Sequence, residues 1–240
     1  MPKGFLLLWA PKPNDFMIWG CKMVTFSNDA DILKYEPILF GELHWSSQVL
    51  ISGTGGQLSG TTFTASGVDF VNAQVSAGSV IYLQSADGTL DCVVEIVSVD
   101  SATQLTVSMI RADSSDSAIA PPSATDILFS VSTFKPQASE AAYQLTEYFG
   151  ISPGNPASDI TSEDILDKSV LKQASVFLIL SSVYAMLASK VKDENFWEKS
   201  HHYKKLFEKA KERCRLSIDV GSDGVADINK IGGSLKLARD

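Results

Sequence analysis

The sequence predicts an α+β protein in which an antiparallel helical-bundle core with a long helical hairpin is interrupted by a small β-barrel or sandwich insertion. Three observations predict it. An apolar helical pattern and then an amphipathic one, joined by a short charged turn, fill residues 161–216. The stretch from Thr61 to about Phe134 alternates Thr, Val, Ser and Ile with almost no Lys. Helical patterning then returns after Lys135-Pro136. The expected organisation is an irregular N-terminal arm (1–23), a helical core domain (24–50 plus 136–218), an inserted β domain (51–135) and an extended C-terminal arm (219–240).

The hairpin organises the rest. Thr161 stands three residues before Asp164, the spacing of a capping box at a helix start. Leu166, Val170, Phe177, Leu180, Tyr184, Leu187 and Val191 follow on one face, and between Ala174 and Ala188 the other faces are apolar or small as well. A helix apolar all round is buried all round. The run from 174 to 188 is short of the roughly 20 residues a membrane span needs and is bounded by lysines, so no membrane role is expected. Ser175, Ser182, Ala185 and Ser189 form a small-residue strip that would let a second copy of the protein approach closely. The second helix is expected from about Asp193 to about Leu216, with Phe196, Tyr203, Leu206, Phe207, Ala210 and Cys214 inward and a lysine-rich face in water.

Upstream, Ser27 and Asn28 precede a short acidic helix that Pro37 must bend or end. The run SGTGGQLSG reads as a linker into the β region. There, five or six short strands suit a small barrel, with Asp87-Gly88 as a hairpin turn, and the polar segment 111–126 is expected to protrude without ordering well. Flexible junctions on both sides suggest that the insertion and the helical domain need not share core side chains.

Net charge is −8, which argues against a general nucleic-acid binder. From residue 190 onward there are 12 Lys and Arg against 9 Asp and Glu, leaving 8 against 19 before it, a dipolar arrangement that suits packing against copies. Cys21, Cys92 and Cys214 suggest neither a disulfide framework nor a zinc site. No secretory signal is expected in residues 1–22.

Catalytic motifs are not found: there is no nucleophile elbow, no phosphate loop and no H-E-x-x-H. His201 and His202 are adjacent, so on a helix they diverge by about 100 degrees and cannot share a metal. In DVGSDGVADINK, Asp219, Asp223, Gly224 and Asp227 match four positions of a calcium loop, but Gly221 and Lys230 stand where two ligands belong. The expectation is therefore a non-enzyme without cofactor or metal, with Asp219, Asp223 and Asp227 as weak candidate ligands.

The short acidic helix SNDADILKYEPILF, the apolar-then-basic helix pair, and the ending RCRLSIDVGSDGVADINKIGGSLKLARD together resemble the head-to-tail connector proteins of tailed bacteriophages, specifically the adaptor that docks under the portal. The resemblance covers residues 24–50 and 136–240; the simplest adaptors are wholly helical, so the β insertion departs from them. It implies a structural virion protein at the neck, assembled in the host cytoplasm as a ring, commonly of twelve copies. Its partners would be the portal and the next neck or tail protein. DNA would pass through without specific binding, along an acidic lining that does not hold it. In this reading Lys230, Ile231, Leu235, Lys236, Leu237 and Arg239 of the C-terminal arm meet the portal. The rival is a β-barrel binding module for carbohydrate or a host surface on a helical stalk, which would need an exposed aromatic platform; Phe63, Phe70, Tyr82 and Phe129 are the aromatics available to it.

Overall fold

The computed structural model describes residues 24–41, 43–151, 160–191 and 194–231. The N-terminal arm expected over 1–23, and Leu235, Lys236, Leu237 and Arg239, lie outside them. Six strands form a closed antiparallel barrel: β1 (Val49–Ser59), β2 (Thr62–Thr64), β3 (Val80–Ser85), β4 (Asp91–Ser101), β5 (Gln104–Ser108) and β6 (Ala124–Ser132). Their order is β1-β2-β5-β4-β3-β6, with β6 returning to β1. Alternate residues turn inward, as a pleated strand requires: Ile81 and Leu83, Leu105 and Val107, and Ile127, Phe129 and Val131 are all buried.

The centre of the barrel is filled by rings. Phe63 meets Phe129 edge to face at 5.2 Å, and Phe70 lies 6.1 Å from Phe129. That filling explains the glycines of β1. A Cβ at Gly53 would come within 2.7 Å of the Phe129 ring, and one at Gly56 within 2.7 Å of Phe63. The run expected as a linker is thus the middle of a strand, where glycine makes room for a ring. Register shifts between β1 and β6 at these same residues bend the strand enough to close a small barrel.

Two turns show how the strands are joined. Asp87 accepts hydrogen bonds from Ser85 Oγ (2.6 Å), Thr89 N (3.1 Å) and Thr89 Oγ1 (2.8 Å), which bring its carboxyl down to about 2, and Gly88 takes the positive φ of 73°. The segment after β5 is anchored rather than protruding without order. Arg111 turns inward to a buried ion pair with Glu95 of β4, and its guanidinium also donates to the carbonyls of Ser114 (2.8 Å) and Asp116 (2.6 Å).

Five α-helices are described: α1 (Asp29–Leu33), α2 (Ile38–Gly41), α3 (Lys135–Tyr148), α4 (Lys172–Val191) and α5 (Glu194–Arg213). They correct the expected fold class. The protein is a mixed α/β structure built on a closed barrel, and no helical-bundle core is present among the described residues. α1 and α2 are single turns; α4 lies against α5 on one side and α3 on another. The sequence reading extended α4 too far upstream. Thr161 and Asp164 do form a capping box, but on a 3-10 turn, Ser162–Asp164; Ile165 then bridges to Ile218, and a second 3-10 turn, Lys168–Leu171, precedes α4. The chain after α5 is not an extended arm from 219. It forms a hairpin of β7 (Arg215–Ile218) and β8 (Ile228–Ile231), whose Leu216 and Ile218 are fully buried.

The barrel and the helices share side chains, contrary to the expectation of separable cores. Val80 of β3 and Phe134 belong to the same apolar cluster as Phe40, Phe177 and Tyr184, and Phe134 meets Phe40 edge to face at 5.2 Å. A buried carboxylate completes the joint: Asp29 of α1 accepts from Thr133 Oγ1 and from the Phe134 amide, both at 2.7 Å. The segment Lys168–Lys190, longer than the apolar run 174–188, is long and apolar enough by length and composition to cross a membrane; 61% of its apolar window is buried inside the protein.

Candidate interaction surface

The small residues of α4 have two fates. Toward the protein they allow close approach: Ser175 Oγ lies 2.8 Å from Ser27 Oγ and is fully buried, while Ser181 and Ser200 exchange hydrogen bonds between α4 and α5, each hydroxyl donating to the other's carbonyl (3.1 and 2.8 Å). Ser175 is therefore removed from the expected oligomer strip. Toward solvent, Ser182, half-buried Ala185 and Ser189 remain on one face, with Ser189 Oγ donating to the Ala185 carbonyl (3.1 Å). Met186 stands among them, 41% exposed.

This face borders a groove of about 310 Å³ between α3 and α4, with Leu178, Ile179 and Ala141 on its floor and Gln137, Glu140 and Met186 on its walls. Gln137 Oε1 is buried without a hydrogen-bond partner among the described residues, an arrangement that costs free energy. Along the other flank, α5 presents Trp197, 45% exposed and stacked on His201 at 6.1 Å, next to the exposed Lys204 and Lys205. His202 has its ring edge-on to Tyr203 at 5.5 Å. Sequence reasoning passed over Trp197, Met186 and Gln137; a lone tryptophan in an otherwise charged helix was the available signal.

The polar clusters elsewhere do structural work. Glu36 accepts both oxygens' worth of Lys199 ammonium (2.9 and 3.0 Å) and the Tyr203 hydroxyl (2.7 Å), and Lys199 also reaches Tyr184 Oη at 3.0 Å. Burial would raise the Glu36 carboxyl, but hydrogen bonds from Lys199, Tyr203 and Tyr184 outweigh it and hold it below its ordinary value. Burial and the same carboxylate push the Tyr184 and Tyr203 phenols up, so they stay protonated. An ionised carboxylate among protonated phenols offers no proton to exchange near neutrality; it clamps the chain after α1 to the hairpin. At Asp29, burial raises the carboxyl to about 6 despite its two donors and nearby Lys135. A cleft of about 260 Å³ lined by Ser27, Asn28, Asp29, Ser79 and Thr133 opens beside it.

Asp219, Asp223 and Asp227 shape the β7–β8 loop by accepting its own amides. Asp219 accepts from Gly224 N (2.6 Å) and Asp223 N (3.2 Å), Asp227 from Val220 N (2.8 Å) and Gly221 N (3.0 Å), and Asp223 from Val225 N (2.9 Å). Among the described residues, no group of three or more His, Cys, Asp or Glu side chains is placed to hold a metal. Lys230 is engaged internally: its ammonium donates to the carbonyls of Phe149 (2.8 Å) and Gly150 (3.3 Å) at the end of α3, and burial lowers its pKa. Ile231 beside it is 47% exposed. The chain matches no family model, no curated protein and no solved structure.

Proposed function

We propose that the protein is a structural, non-catalytic assembly component, an oligomeric ring adaptor that joins the portal of a tailed-phage head to the tail and forms part of the DNA channel. The observation that carries this reading is the open face of α4. The most apolar helix of the chain leaves Met186, Ser182 and Ser189 in solvent beside an apolar groove, and such a face is stabilised by a neighbour. The dipolar charge, acidic before residue 190 and basic after it, supports repetition of one subunit around a ring. Between residues 49 and 134 there are eight acidic residues and one Arg, which is buried, so the barrel offers DNA a repelling surface in keeping with passage rather than binding.

In this proposal Ile231 continues into Leu235, Lys236, Leu237 and Arg239 to meet the portal, and Lys230 orients the arm from the end of α3. The rival barrel module draws little support, because Phe63, Phe70 and Phe129 are buried inside the barrel rather than set out as a platform. Light scattering on the purified chain, with negative-stain images of its mixture with portal rings, tests the reading. Multi-copy rings stacked coaxially on the portal are expected. A chain that stays monomeric, alone and with portal, overturns it.

A further inference from the structure

We propose that the outer edge of β8 is a docking site for residues 234–237 of the same chain, which add to the β7–β8 hairpin as a third, antiparallel strand. Among the described residues β7 is paired on both sides and β8 on one. On the far side of β7, Leu166 N donates to the Ser217 carbonyl (3.0 Å) and Asp219 N to the Asp164 carbonyl (2.9 Å), around the Ile165–Ile218 bridge. In an antiparallel ladder a residue turns its N–H and C=O to the same side, and successive residues alternate. Ser217 and Asp219 therefore face the segment 164–166, and Leu216 and Ile218 face β8. In the observed register Ser217 lies opposite Asn229 and Arg215 opposite Ile231, so Asn229 and Ile231 turn their backbone groups away from β7. No hydrogen bond meets those groups among the described residues, and such an edge is a template for one more strand.

The sequence that follows Ile231 carries what this edge accepts. Gly232-Gly233 suits a two-residue hairpin turn of type I′, which needs a positive φ at both positions. A two-residue turn sets the register, with Ile231 opposite Ser234, Asn229 opposite Lys236, Lys230 opposite Leu235 and Ile228 opposite Leu237. The turn closes with the Ile231 carbonyl accepting from Ser234 N–H, so the new strand needs the backbone groups of Ile231 and Asn229, the two residues that already point outward. The side chains agree independently. Cross-strand partners share a face, so Leu235 and Leu237 fall with half-buried Lys230 and Ile228, where Ile228 packs against the cluster of Phe149, Leu216 and Ile218. Ser234 and Lys236 fall with exposed Asn229 and Ile231. A slip of one residue would put both leucines in water. The occupant is this chain rather than a second copy, because a two-residue tether holds the segment beside the edge at a high effective concentration. The inference does not depend on the ring reading; under that reading it adds that Leu235 and Leu237 reach a portal only when 234–237 leaves β8.

The experiment reads amide hydrogen exchange on the full chain by nuclear magnetic resonance. Lys236→Pro removes the N–H that the Asn229 carbonyl would accept, so the Asn229 and Ile231 amides are expected to exchange about tenfold or more faster in this variant than in the wild type. The Leu216 and Ile218 amides, which face β8, serve as the control for an intact hairpin. Equal exchange at Asn229 and Ile231 in the two proteins would overturn the proposal, and protection lost on dilution would give the edge to a second copy and overturn it as well. Paired cysteines check the register. Asn229→Cys with Lys236→Cys is expected to close an intramolecular disulfide about tenfold faster than Asn229→Cys with Leu235→Cys, because the pleat sets the second pair on opposite faces. Equal rates for the two pairs would mean that the segment holds no register on β8, which also sinks the proposal.

Discussion

The barrel closes on itself, and the helices do not. Every strand of the barrel has two paired neighbours, and its rings are packed so tightly against β1 that glycine is required at positions 53 and 56. α4, by contrast, is covered by α5, α3 and the region of α1, yet leaves a strip of its circumference in water. A closed sheet has no edge left to offer a partner. A layer of helices can bury its inner face and still leave part of an outer one open, so the two halves of one chain differ: every strand of the barrel is paired within the chain, while α4 keeps Ser182, Met186 and Ser189 in solvent.

The comparison breaks most visibly if the halves are separated. Replacing residues 51–135 with a short Gly-Ser linker removes Val80 and Phe134 from the helical cluster and strips Asp29 of both hydrogen-bond partners. Loss of a few large apolar side chains, at about 2–5 kcal/mol each, is comparable with the whole stability of a domain. The shortened chain is expected to aggregate or to lose near-ultraviolet circular dichroism while keeping helix signal. A soluble protein with one sharp thermal transition would show instead that the helical layer folds alone.

A smaller effect lies at the joint and depends on pH. The Asp29 carboxyl sits at about 6 in the fold against an ordinary 3.8, so the folded chain holds this proton more tightly than the unfolded one. Its contribution is fully present below about pH 3.8 and is lost as pH rises through about 6, a difference on the order of 3 kcal/mol. Glu36, whose carboxyl lies below its ordinary 4.5, works in the opposite direction at lower pH, so the useful window is about pH 5 to 7. Urea denaturation across that window should show the wild type gaining stability on acidification relative to Asp29→Asn. A constant difference between the two would mean that the joint carries its charge without strain.

Sequence patterning was informative where one residue type had one physical reason to be present. The Asp87-Gly88 turn, the alternating strands and the paired apolar and amphipathic helices follow from period and turn chemistry. It misled where a residue type serves two ends. Glycines 53 and 56 read as flexibility because their partners, Phe129 and Phe63, are far away in sequence. Ser175 reads as part of an outer strip because nothing local reveals that Ser27 meets it. The acidic residues 29, 31 and 36 are all buried; Asp31 has local partners in the Asn28 amide and Lys34, but Thr133, Phe134, Lys172 and Lys199 come from segments over 100 residues on. The open face of α4 was half legible: Ser182, Ala185 and Ser189 lie along it, whereas the groove exists only once α3 is laid beside α4.

The smallest effect concerns Lys230, which the sequence assigns to a partner and the structure engages within the chain. Its ammonium meets the last carbonyls of α3, where a positive charge is favoured by the helix dipole. Lys230→Met keeps most of the stem and removes the charge, so a loss of about 0.5–1.5 kcal/mol is expected from the dipole and the unmade hydrogen bonds. If Lys230 also orients the arm toward a portal, the same variant should weaken portal association modestly, with a milder effect than deleting residues 232–240. Unchanged melting together with abolished association would mean that the ammonium leaves α3 when the partner arrives. The C-terminal hairpin would then belong with the open outer face of the helices, as a surface completed by assembly, and not with the self-contained barrel.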